Sequence, residues 1–370
     1  MTDGNIIKYF NTIHKLGKPG PGRIKGSSVT IKKLAAILGL SHSTVSRALN
    51  GHPAISQSTR ESVLQAAKKY GYIPNSAAQA LRNATSGAFG VIIPDIQNDF
   101  FISVTNAIAR EAGKRSWQMI LAITEDHPDT EYHVLRRMMA ASVDGIIIAP
   151  SANPLPETRE LITRTHAVQL LRRHDGIQAP LIAIDDRYGI SLATVHLRRL
   201  GHTRIGYIGS STDLSTGFER LQGFLQHFSS AEQAALKDII HIGPPQAEFG
   251  TAAFKRIMSV DHAPSALVLG SPRYAMGMLT AAKALRVRIP QDLSVVAYGL
   301  VPWGSLLDMQ LTTVVLPEKE VTDACVDMIR HIMDSELTLT HDEFIRSTEN
   351  QLFTPRLALG DSTGVNRSER

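Results

Sequence analysis

Between Thr30 and Gly71 the apolar residues recur at the three- and four-residue spacing of amphipathic helices. The pattern predicts one helix capped by Thr30 and ended by Gly39, a second capped by Ser41 and ended at Asn50-Gly51, and a third over about 58–70. Two short helices joined by a tight glycine-containing turn are typical of a helix-turn-helix motif. The residues expected to face inward are Ile31, Leu34, Ala35, Leu38, Val45, Ala48, Leu49, Val63, Ala67 and Tyr70.

After Gly87 the pattern changes to short apolar runs that alternate with longer helical stretches. This alternation predicts parallel βαβ units and a doubly wound α/β sheet, in which ligands bind at the carboxyl ends of the strands. The predicted strands cover residues 89–94, 119–123, 145–149, 181–184, 205–209, 266–269 and 293–298.

The segment before the first helix has a different character. Residues 17–26, GKPGPGRIKG, combine four glycines, two prolines and three basic residues, which neither a helix nor a strand tolerates. The glycine spacing does not match a nucleotide-binding loop, and no hydrophobic strand precedes it. Residues 1–27 are therefore predicted to form a flexible basic arm, which either adds phosphate contacts or is simply disordered.

The net charge of +5 is unevenly distributed along the chain. Residues 1–85 contain 12 Lys and Arg against Asp3 and Glu61, a charge of +10, whereas the remaining 27 basic and 32 acidic residues give −5. A basic head on a mildly acidic body is expected for a phosphate-binding module joined to a regulatory domain. A basic surface that is only solvated is the alternative.

Composition limits the class of protein. The 370 residues, 43% of them hydrophobic, are enough for two or three domains with a sizeable core. One cysteine, Cys325, excludes an intramolecular disulfide and a cysteine-based metal site, which favours a reducing, cytoplasmic setting. No apolar run approaches the roughly 18 residues of a membrane-spanning helix, and the N-terminal residues do not resemble a secretory signal. The histidines lack metal-ligand spacing, so neither a metal nor a cofactor is expected.

The outer face predicted for the second helix carries chemistry suited to DNA. Arginine can donate two hydrogen bonds to guanine, and Ser, Thr and His can bond base edges or phosphates. No acidic residue interrupts this face, and it lies within the segment of charge +10. DNA reading is therefore favoured over simple solvation for His42, Ser43, Thr44, Ser46 and Arg47.

The sequence from Val29 to Arg82 resembles the DNA-binding headpiece of the LacI/GalR family of bacterial transcription regulators. The most specific matches are Ser43-Thr44-Val45-Ser46-Arg47, Thr59-Arg60 and Gly71-Tyr72-Ile73-Pro74-Asn75, and the resemblance extends over almost all of residues 29–357. It implies an all-α helix-turn-helix headpiece and a doubly wound α/β core of two subdomains, like a periplasmic binding protein, with several chain crossovers. The implied boundaries are an arm at 1–27, the headpiece at 28–74, a hinge helix and linker at 75–86, the effector-binding and dimerisation core at 87–357 and a tail at 358–370.

The resemblance also implies roles for single residues on DNA. His42, Ser43 and Arg47 are expected to face bases. The hinge helix, with Ala78 and Leu81, is expected to fold on the operator and to insert Leu81 into the minor groove, which kinks the duplex. The alternative for Leu81 is a buried linker residue. Phosphate contacts, or support for them, are expected from Thr30, Ser41, Thr44, Ser46, Asn50, Ser56 and Thr59.

In the core, the resemblance implies an effector cleft that Asn98, Phe100, Phe101 and Arg220 would line. Taken by itself, Arg220 could equally be a surface helix residue. Three departures from the family pattern change the expected ligand. Arg172-Arg173 replaces a common Asp-Arg pair, Ser271-Pro272-Arg273 an Asn-Asp pair, and Tyr298-Gly299-Leu300 a Tyr-Asp-Asp run.

Carboxylates fix neutral sugars by accepting hydroxyl protons, so these departures remove acceptors and add donors. An anionic effector, such as a sugar acid or a sugar phosphate, becomes the sharper hypothesis, held by some of Arg172, Arg220 and Arg273 beside Ser271. A cleft that binds no small molecule is the alternative.

The function predicted from the sequence is a DNA-binding transcription regulator, expected to be a repressor, that binds a palindromic operator as a homodimer and is modulated by an effector. The sign of the effector is left open. The tail lacks an apolar heptad, which favours a dimer over a tetramer. The rival classes are a solute-binding sensor and a doubly wound α/β enzyme, but the sequence contains no phosphate-binding loop, nucleophile elbow or zinc-protease motif, and no catalytic residue is expected.

Overall fold

The structure of the protein is a computed structural model that describes residues 29–49, 51–72, 86–299, 304, 309–334 and 340–366. The chain divides into two compact units, Met1–Asn83 and Ala84–Arg370, which we call the headpiece and the core. The predicted arm and the predicted hinge helix, which includes Ala78 and Leu81, lie outside the described residues, and so does Asn50. These predictions stay predictions.

The three helices predicted in the headpiece are confirmed. Helix α1 covers Ile31–Leu38, α2 His42–Leu49 and α3 Gln57–Lys69. Thr30 and Ser56 cap α1 and α3, and Gly39 ends α1 in the left-handed conformation that glycine adopts at low cost. The three helices meet in a small core built on the fully buried side chains of Leu34, Val45 and Val63 with Ala35, Ala48, Ala66 and Ala67.

The prediction that Tyr70 faces inward is wrong. Helix α3 ends at Lys69, and Tyr70 is 39% exposed, with the Lys69 ammonium 5.5 Å from the centre of its ring. Gly71 then adopts a φ of +63°, and this turn brings Tyr72 instead of Tyr70 against the core of the headpiece.

The described residues of the core form two six-stranded sheets, one in each of two subdomains. The strands are β1 Ala88–Ile93, β2 Gln118–Ile123, β3 Gly145–Ile148, β4 His166–Leu170, β5 Leu181–Ile184, β6 Ile205–Gly209, β7 Ile240–Ile242, β8 Ala266–Leu269, β9 Ser294–Tyr298, β10 Thr312–Val315, β11 Gln351–Phe353 and β12 Arg356–Ala358. The first sheet is entirely parallel in the order β11-β5-β4-β3-β1-β2, and the second has the order β12-β10-β9-β8-β6-β7 with only β12 antiparallel.

Helices cover both faces of the sheets, as the doubly wound prediction requires. The helices are α4 Asp99–Arg115, α5 Pro128–Ala140, α6 Pro156–Ile162, α7 Asp186–Arg199, α8 Ser215–Leu225, α9 Ser230–Ala235, α10 Ala247–Met258, α11 Pro272–Leu285, α12 Glu318–Asp334 and α13 His341–Ser347. In β1, Phe89, Val91 and Ile93 pack with α4 and α12, whereas Ala88 and Ile92 pack with α5 and α6 on the opposite face. A 3₁₀ turn, Lys237–Ile239, precedes β7.

Within the described residues, the chain passes between the subdomains three times, from β5 to α7, from β10 to α12 and from β11 to β12. The first subdomain therefore consists of β1 to β5, β11 and α4, α5, α6, α12 and α13, and the second of β6 to β10, β12 and α7 to α11. This arrangement confirms the predicted fold class. The strands that follow one another along the chain end at the same edge of each sheet, so their loops converge.

The predicted tail begins inside β12, because that strand extends to Ala358. The described residues beyond it are also packed on the core. Ser362 is fully buried, accepts a hydrogen bond from the Thr312 amide at 2.8 Å and donates one to the Val295 carbonyl at 2.7 Å. Residues as far as Asn366 thus belong to the second subdomain, and Asn366 donates to the Gly201 carbonyl at 3.1 Å.

Candidate functional site

Helix α2 presents a polar surface free of acidic side chains. His42, Ser43 and Arg47 are exposed, and Arg47 is the basic residue of the last turn. Ser41 orders the start of the helix, because its hydroxyl accepts from the Thr44 amide at 3.1 Å and pairs with the Ser43 and Thr44 hydroxyls at 2.8 Å. The exposed face therefore stands on a capped and well-defined helix.

Ser46 departs from the expected surface. Its place in the sequence puts it on the outer face of α2 together with its neighbours, but it is only 9% exposed. Ser46 lies next to the fully buried Val45 and two residues before the buried Ala48. The buried face of α2 therefore includes a polar residue and is wider than its apolar residues alone indicate. A direct base contact is thus not supported for Ser46, whereas a role in supporting the helix is.

The remaining headpiece candidates lie at helix starts. The Thr30 hydroxyl accepts from the Lys33 amide at 3.3 Å. Ser56 caps α3 through the Thr59 amide at 3.3 Å, and its hydroxyl lies 2.8 Å from that of Thr59. Helix N-termini with free amide groups attract phosphates, so these positions are compatible with contacts to a nucleic-acid backbone.

Arg60 is part of the Thr59-Arg60 match to the family, but the resemblance assigns it no role. In the structure it has defined contacts. Its Nη2 atom donates to the carbonyls of Gly51 and His52, both at 3.0 Å. These carbonyls belong to the loop that follows α2, so Arg60 ties α3 to the end of the proposed reading helix. Hydrogen bonds from a charged donor are stronger than neutral ones, so these two bonds stabilise the position of the loop after α2 relative to α3.

In the second subdomain of the core, Arg220 is the centre of a buried cluster. Its Nε donates to Asp186 at 2.7 Å, its Nη1 donates to the Gly270 carbonyl at 3.0 Å, and its guanidinium lies 4.4 Å from the centre of the Tyr298 ring. The Tyr298 hydroxyl also donates to Asp186. The alternative that Arg220 is a surface helix residue does not fit these contacts.

The same cluster shows how burial and charge oppose each other. Burial raises the pKa of Asp186, and the Arg220 guanidinium acts in the opposite direction by favouring the carboxylate. Asp186 also raises the pKa of Arg220 above its ordinary value in spite of burial. Each charge is therefore stable in this place because of the other.

In the first subdomain, Arg172 lies at the end of β4 and pairs with Asp126, which follows β2. Its Nη1 also reaches the Pro150 carbonyl at 3.4 Å. Nearby, the fully buried Glu131 accepts hydrogen bonds from the amide and hydroxyl of Ser151 at 2.6 and 3.1 Å, and burial raises the pKa of Glu131. These groups form the polar end of the first sheet.

Strained backbone accompanies this polar end. Leu171 and Asp126 both have a φ of about 60°, and Glu125 has a φ of 53°. Side chains other than glycine rarely adopt this conformation, which costs on the order of 1 kcal/mol per residue and concentrates at ligand sites and switch regions. The two loops that bring Arg172 and Asp126 together are thus held in costly shapes by their surroundings.

Arg273 joins the two subdomains. It lies in the first turn of α11 in the second subdomain, and its two terminal nitrogens reach Asp95 and Gln97 of the first subdomain, both at 2.9 Å. The Arg173 amide makes a second contact across the cleft, donating to the Ser215 hydroxyl at 2.9 Å.

The other predicted ligand residues have local structural contacts. Asn98 caps α4 by accepting from the Phe100 amide at 3.0 Å, and Ser271 caps α11 by accepting from the Arg273 amide at 3.4 Å. Phe100 and Phe101 are 6% and 3% exposed and pack in the core of the first subdomain. Their contacts with an effector stay predictions.

The residues that sequence reasoning missed are the acidic partners of the arginines. Arg172, Arg220 and Arg273 pair with Asp126, Asp186 and Asp95, respectively. The partners lie 46, 34 and 178 residues away along the chain, so no local pattern joins them. One signal was available, because Asp95, Asp126 and Asp186 all follow strands at the ends where ligands bind.

Two other classes of site have no counterpart in the part of the chain that the structure describes. Among the described residues, no group of three or more His, Cys, Asp or Glu side chains could hold a metal ion. In the same ranges, no helix is long and apolar enough to cross a membrane.

Comparisons with known proteins agree with both units. A family described as bacterial regulatory proteins, lacI family, matches residues 30–75, and a periplasmic binding protein-like domain matches residues 194–363. The chain is 31% identical over 288 residues to the ribose operon repressor of Halalkalibacterium halodurans, a match that covers 78% of this chain and 85% of that repressor. It is 27% identical over 312 residues to the catabolite control protein A of Priestia megaterium, covering 84% and 94% of the two chains.

Solved structures show the same fold. The lac repressor dimer bound to operator and the anti-inducer ONPF has a TM-score of 0.76 at 22% identity, covering 91% of this chain and all of that one. A LacI-family transcriptional regulator from Silicibacter pomeroyi has a TM-score of 0.76 at 22% identity, covering 90% and 98%.

Proposed function

Because this chain belongs to the LacI/GalR family of bacterial transcription regulators, with a DNA-binding headpiece and an effector-binding core, we propose that it is a repressor that binds a palindromic operator as a homodimer. Regulation of transcription, not catalysis, is its activity, as in its relatives. The observation that carries the proposal is the exposed, acid-free face of α2, on which His42, Ser43 and Arg47 stand together.

We assign the base contacts to these three side chains. The Arg47 guanidinium provides two donors for guanine O6 and N7 in the major groove, a contact that discriminates by about 1–3 kcal/mol against the wrong base. The capped helix starts at Thr30, Ser41 and Ser56 fix the register on the phosphates. Leu81 and Ala78 are assigned to the hinge helix that enters the minor groove. As a regulator of transcription, the protein is also proposed to act in the cytoplasm.

Selection of sites from a random duplex pool by the purified full-length protein tests this proposal. We expect an enriched palindrome that Arg47→Ala binds about 10- to 100-fold more weakly, with relaxed preference at one symmetric pair of positions. Leu81→Ala should weaken binding most at sites with a flexible central step. Lys69→Ala is the matched control, because it removes an exposed cation from α3 and leaves α2 intact.

The outcomes are distinct. Weaker binding of Lys69→Ala to all sequences alike would reflect general phosphate attraction. An unaltered palindrome with Arg47→Ala, or no enrichment at moderate salt, would contradict the assignment of α2 as the reading helix.

For the core we propose a sugar-derived effector, with an anionic form such as a sugar acid or sugar phosphate as the leading class. The 31% identical relative is a ribose operon repressor, which supports a sugar. Arg172 follows β4 in the first subdomain, and Arg220 lies in α8 of the second. Their side chains are 13% and 18% exposed and supply donors that match a carboxylate or phosphate. Because each already pairs with an aspartate, the anion would have to share or replace that partner.

Titration calorimetry of the full-length protein with sugar phosphates, sugar acids and the matching neutral sugars tests this class. An anionic ligand should bind at least about tenfold more tightly than its neutral counterpart, and Arg172→Ala should remove that preference. Preference for the neutral sugars would overturn the anionic class. No binding to any of these probes would support the alternative of a cleft without a small ligand.

A further inference from the structure

The two subdomains of the core are linked by side chains of the chain itself. Arg273 of α11 spreads its two terminal nitrogens over Asp95 Oδ2 and Gln97 Oε1, each at 2.9 Å, at the loop that follows β1. We propose that Arg273, Asp95 and Gln97 form a latch that holds the two subdomains together across the cleft.

The acceptor side of the latch contains a hydrogen bond of its own. The Asp95 carboxylate accepts from the Gln97 amide at 2.7 Å through Oδ1, which leaves Oδ2 for Arg273. This local turn holds the Asp95 carboxylate against the backbone of Gln97, so one of the two acceptors is positioned by its own loop. Less side-chain entropy is then lost when the guanidinium binds, which favours the contact.

The donor side is rigid as well. Pro272 and the Ser271 cap fix the first turn of α11, from which Arg273 extends. A cation near a helix N-terminus is disfavoured by the helix dipole, so this position does not stabilise α11 by itself. The contact with Asp95 offsets that cost, and it exists only while the two subdomains are together.

The strength of the latch follows from its exposure. The side chains of Arg273 and Asp95 are 33% and 37% exposed, so solvent screens their attraction. Such a pair shifts an equilibrium between open and closed clefts by about two- to fivefold, which is enough to bias it and weak enough for a ligand to overcome. An effector can therefore act against the latch without a large binding energy.

Hydrogen exchange of the full-length protein, read at the Arg173 amide, tests the latch independently of DNA binding. This amide donates to Ser215 in the other subdomain, so its protection depends on closure of the cleft. We expect Arg273→Ala and Asp95→Ala each to speed its exchange about two- to fivefold, and the double variant to add nothing. Wild-type exchange should also rise between about 0.1 and 1 M salt, whereas exchange in Arg273→Ala should not.

Arg288→Ala is the control, because the Arg288–Asp292 pair lies within the second subdomain, before β9. It should leave the Arg173 amide unchanged. The charge reversal Asp95→Arg with Arg273→Asp should restore part of the protection that either single change removes. Unchanged exchange in both single variants, or equal acceleration at amides buried inside each sheet, would overturn the latch.

Discussion

The Arg220 guanidinium and the Asp186 carboxylate form a buried ion pair, 2.7 Å apart, that joins α8 to the first turn of α7. Only 18% and 6% of the two side chains are exposed. Residues 184–186 are also one of the three crossovers, so the pair lies where the subdomains are connected. A cleft residue expected to serve a ligand therefore also has a structural function.

Removal of one partner from the Arg220–Asp186 pair should strongly lower the free energy of unfolding. Arg220→Ala leaves the buried Asp186 without its counter-charge, and breaking a buried pair in this way costs about 3–5 kcal/mol in the free energy of unfolding. The double variant Arg220→Ala, Asp186→Ala should cost less than Arg220→Ala. Urea unfolding measures both. Arg187→Ala, which breaks a pair that is 46% and 35% exposed, should cost less than about 1 kcal/mol. Equal losses for Arg220→Ala and Arg187→Ala would contradict the assigned burial.

Arg60 should affect DNA binding without touching a base. Arg60→Ala removes the donor to the Gly51 and His52 carbonyls, so the loop after α2 loses its tether and the headpiece loses about 1–2 kcal/mol of stability. Affinity for the selected operator should fall without a change in the preferred sequence, as gel-shift titrations over single-base variants would show. Gln57→Ala is the control, because it breaks only an exposed bond to Glu61. A change in preferred bases with Arg60→Ala would indicate direct readout instead.

His202 should make the core less stable in acid. Its Nε2 lies 3.0 Å from the Gly364 carbonyl, which can only accept, so in the neutral ring Nε2 carries the proton and Nδ1 accepts from the Ser265 hydroxyl at 2.8 Å. Burial lowers the pKa of His202 from its ordinary value of 6.5. As the pH falls below about 6.5, the unfolded chain takes up a proton that the folded ring refuses, and stability falls by up to about 1.4 kcal/mol per pH unit.

The variant His202→Gln isolates this effect, because glutamine can still donate to a carbonyl and accept from a hydroxyl but does not titrate. Its unfolding free energy should lie below that of the wild type at about pH 7.5, and the difference should shrink at about pH 5.5. Denaturant unfolding at the two values provides the measurement. A difference that stays constant or grows in acid would mean that His202 is not neutral in the folded core.

The strands that were predicted and those that were missed differ for physical reasons. Runs such as Ile146-Ile147-Ile148 are buried on both faces, and their apolar character is continuous. Strand β4 contains the buried Gln169, whose amide donates to the carbonyls of Ile177 and Ala179, so a polar residue is satisfied inside a core strand. Strands β11 and β12 have three residues each and exist through pairing with distant strands, which no local pattern reveals.

The residues of the candidate site also differ in whether a local sequence pattern or a distant contact determines their role. Helical spacing places His42, Ser43 and Arg47 correctly on the outer face of α2. It places Ser46 there as well, and that prediction is wrong because Ser46 is buried. Arg220 and Arg273 stand out in the sequence as unusual charges, but their effect depends on Asp186 and Asp95, which tertiary folding brings to them. The cleft was expected to carry excess positive charge, but each of these arginines is balanced by a neighbouring aspartate. This pairing is a property of the folded chain and cannot be read from the composition.

Two glycines in helices should respond oppositely to the same substitution. An alanine at an exposed helical glycine stabilises a protein by about 0.5–1 kcal/mol, because the unfolded chain loses conformational freedom. Gly113 in α4 has open space on the side where a methyl group would point, with no atom within 4 Å of the Cβ position, so Gly113→Ala should gain this amount. Gly277 in α11 faces α10 so closely that the new Cβ would lie 1.8 Å from the Ala247 carbonyl oxygen.

The helices would have to separate to accept that methyl group, and Thr251, which donates to the Gly277 carbonyl at 3.0 Å, would lose its contact. Gly277→Ala should therefore destabilise the core by about 3 kcal/mol, at the upper end of the cost of overpacking. Thermal unfolding of both variants beside the wild type compares the two effects directly. A raised melting temperature for Gly277→Ala would show that α10 and α11 do not pack at this distance in solution, because only their close approach makes this glycine necessary.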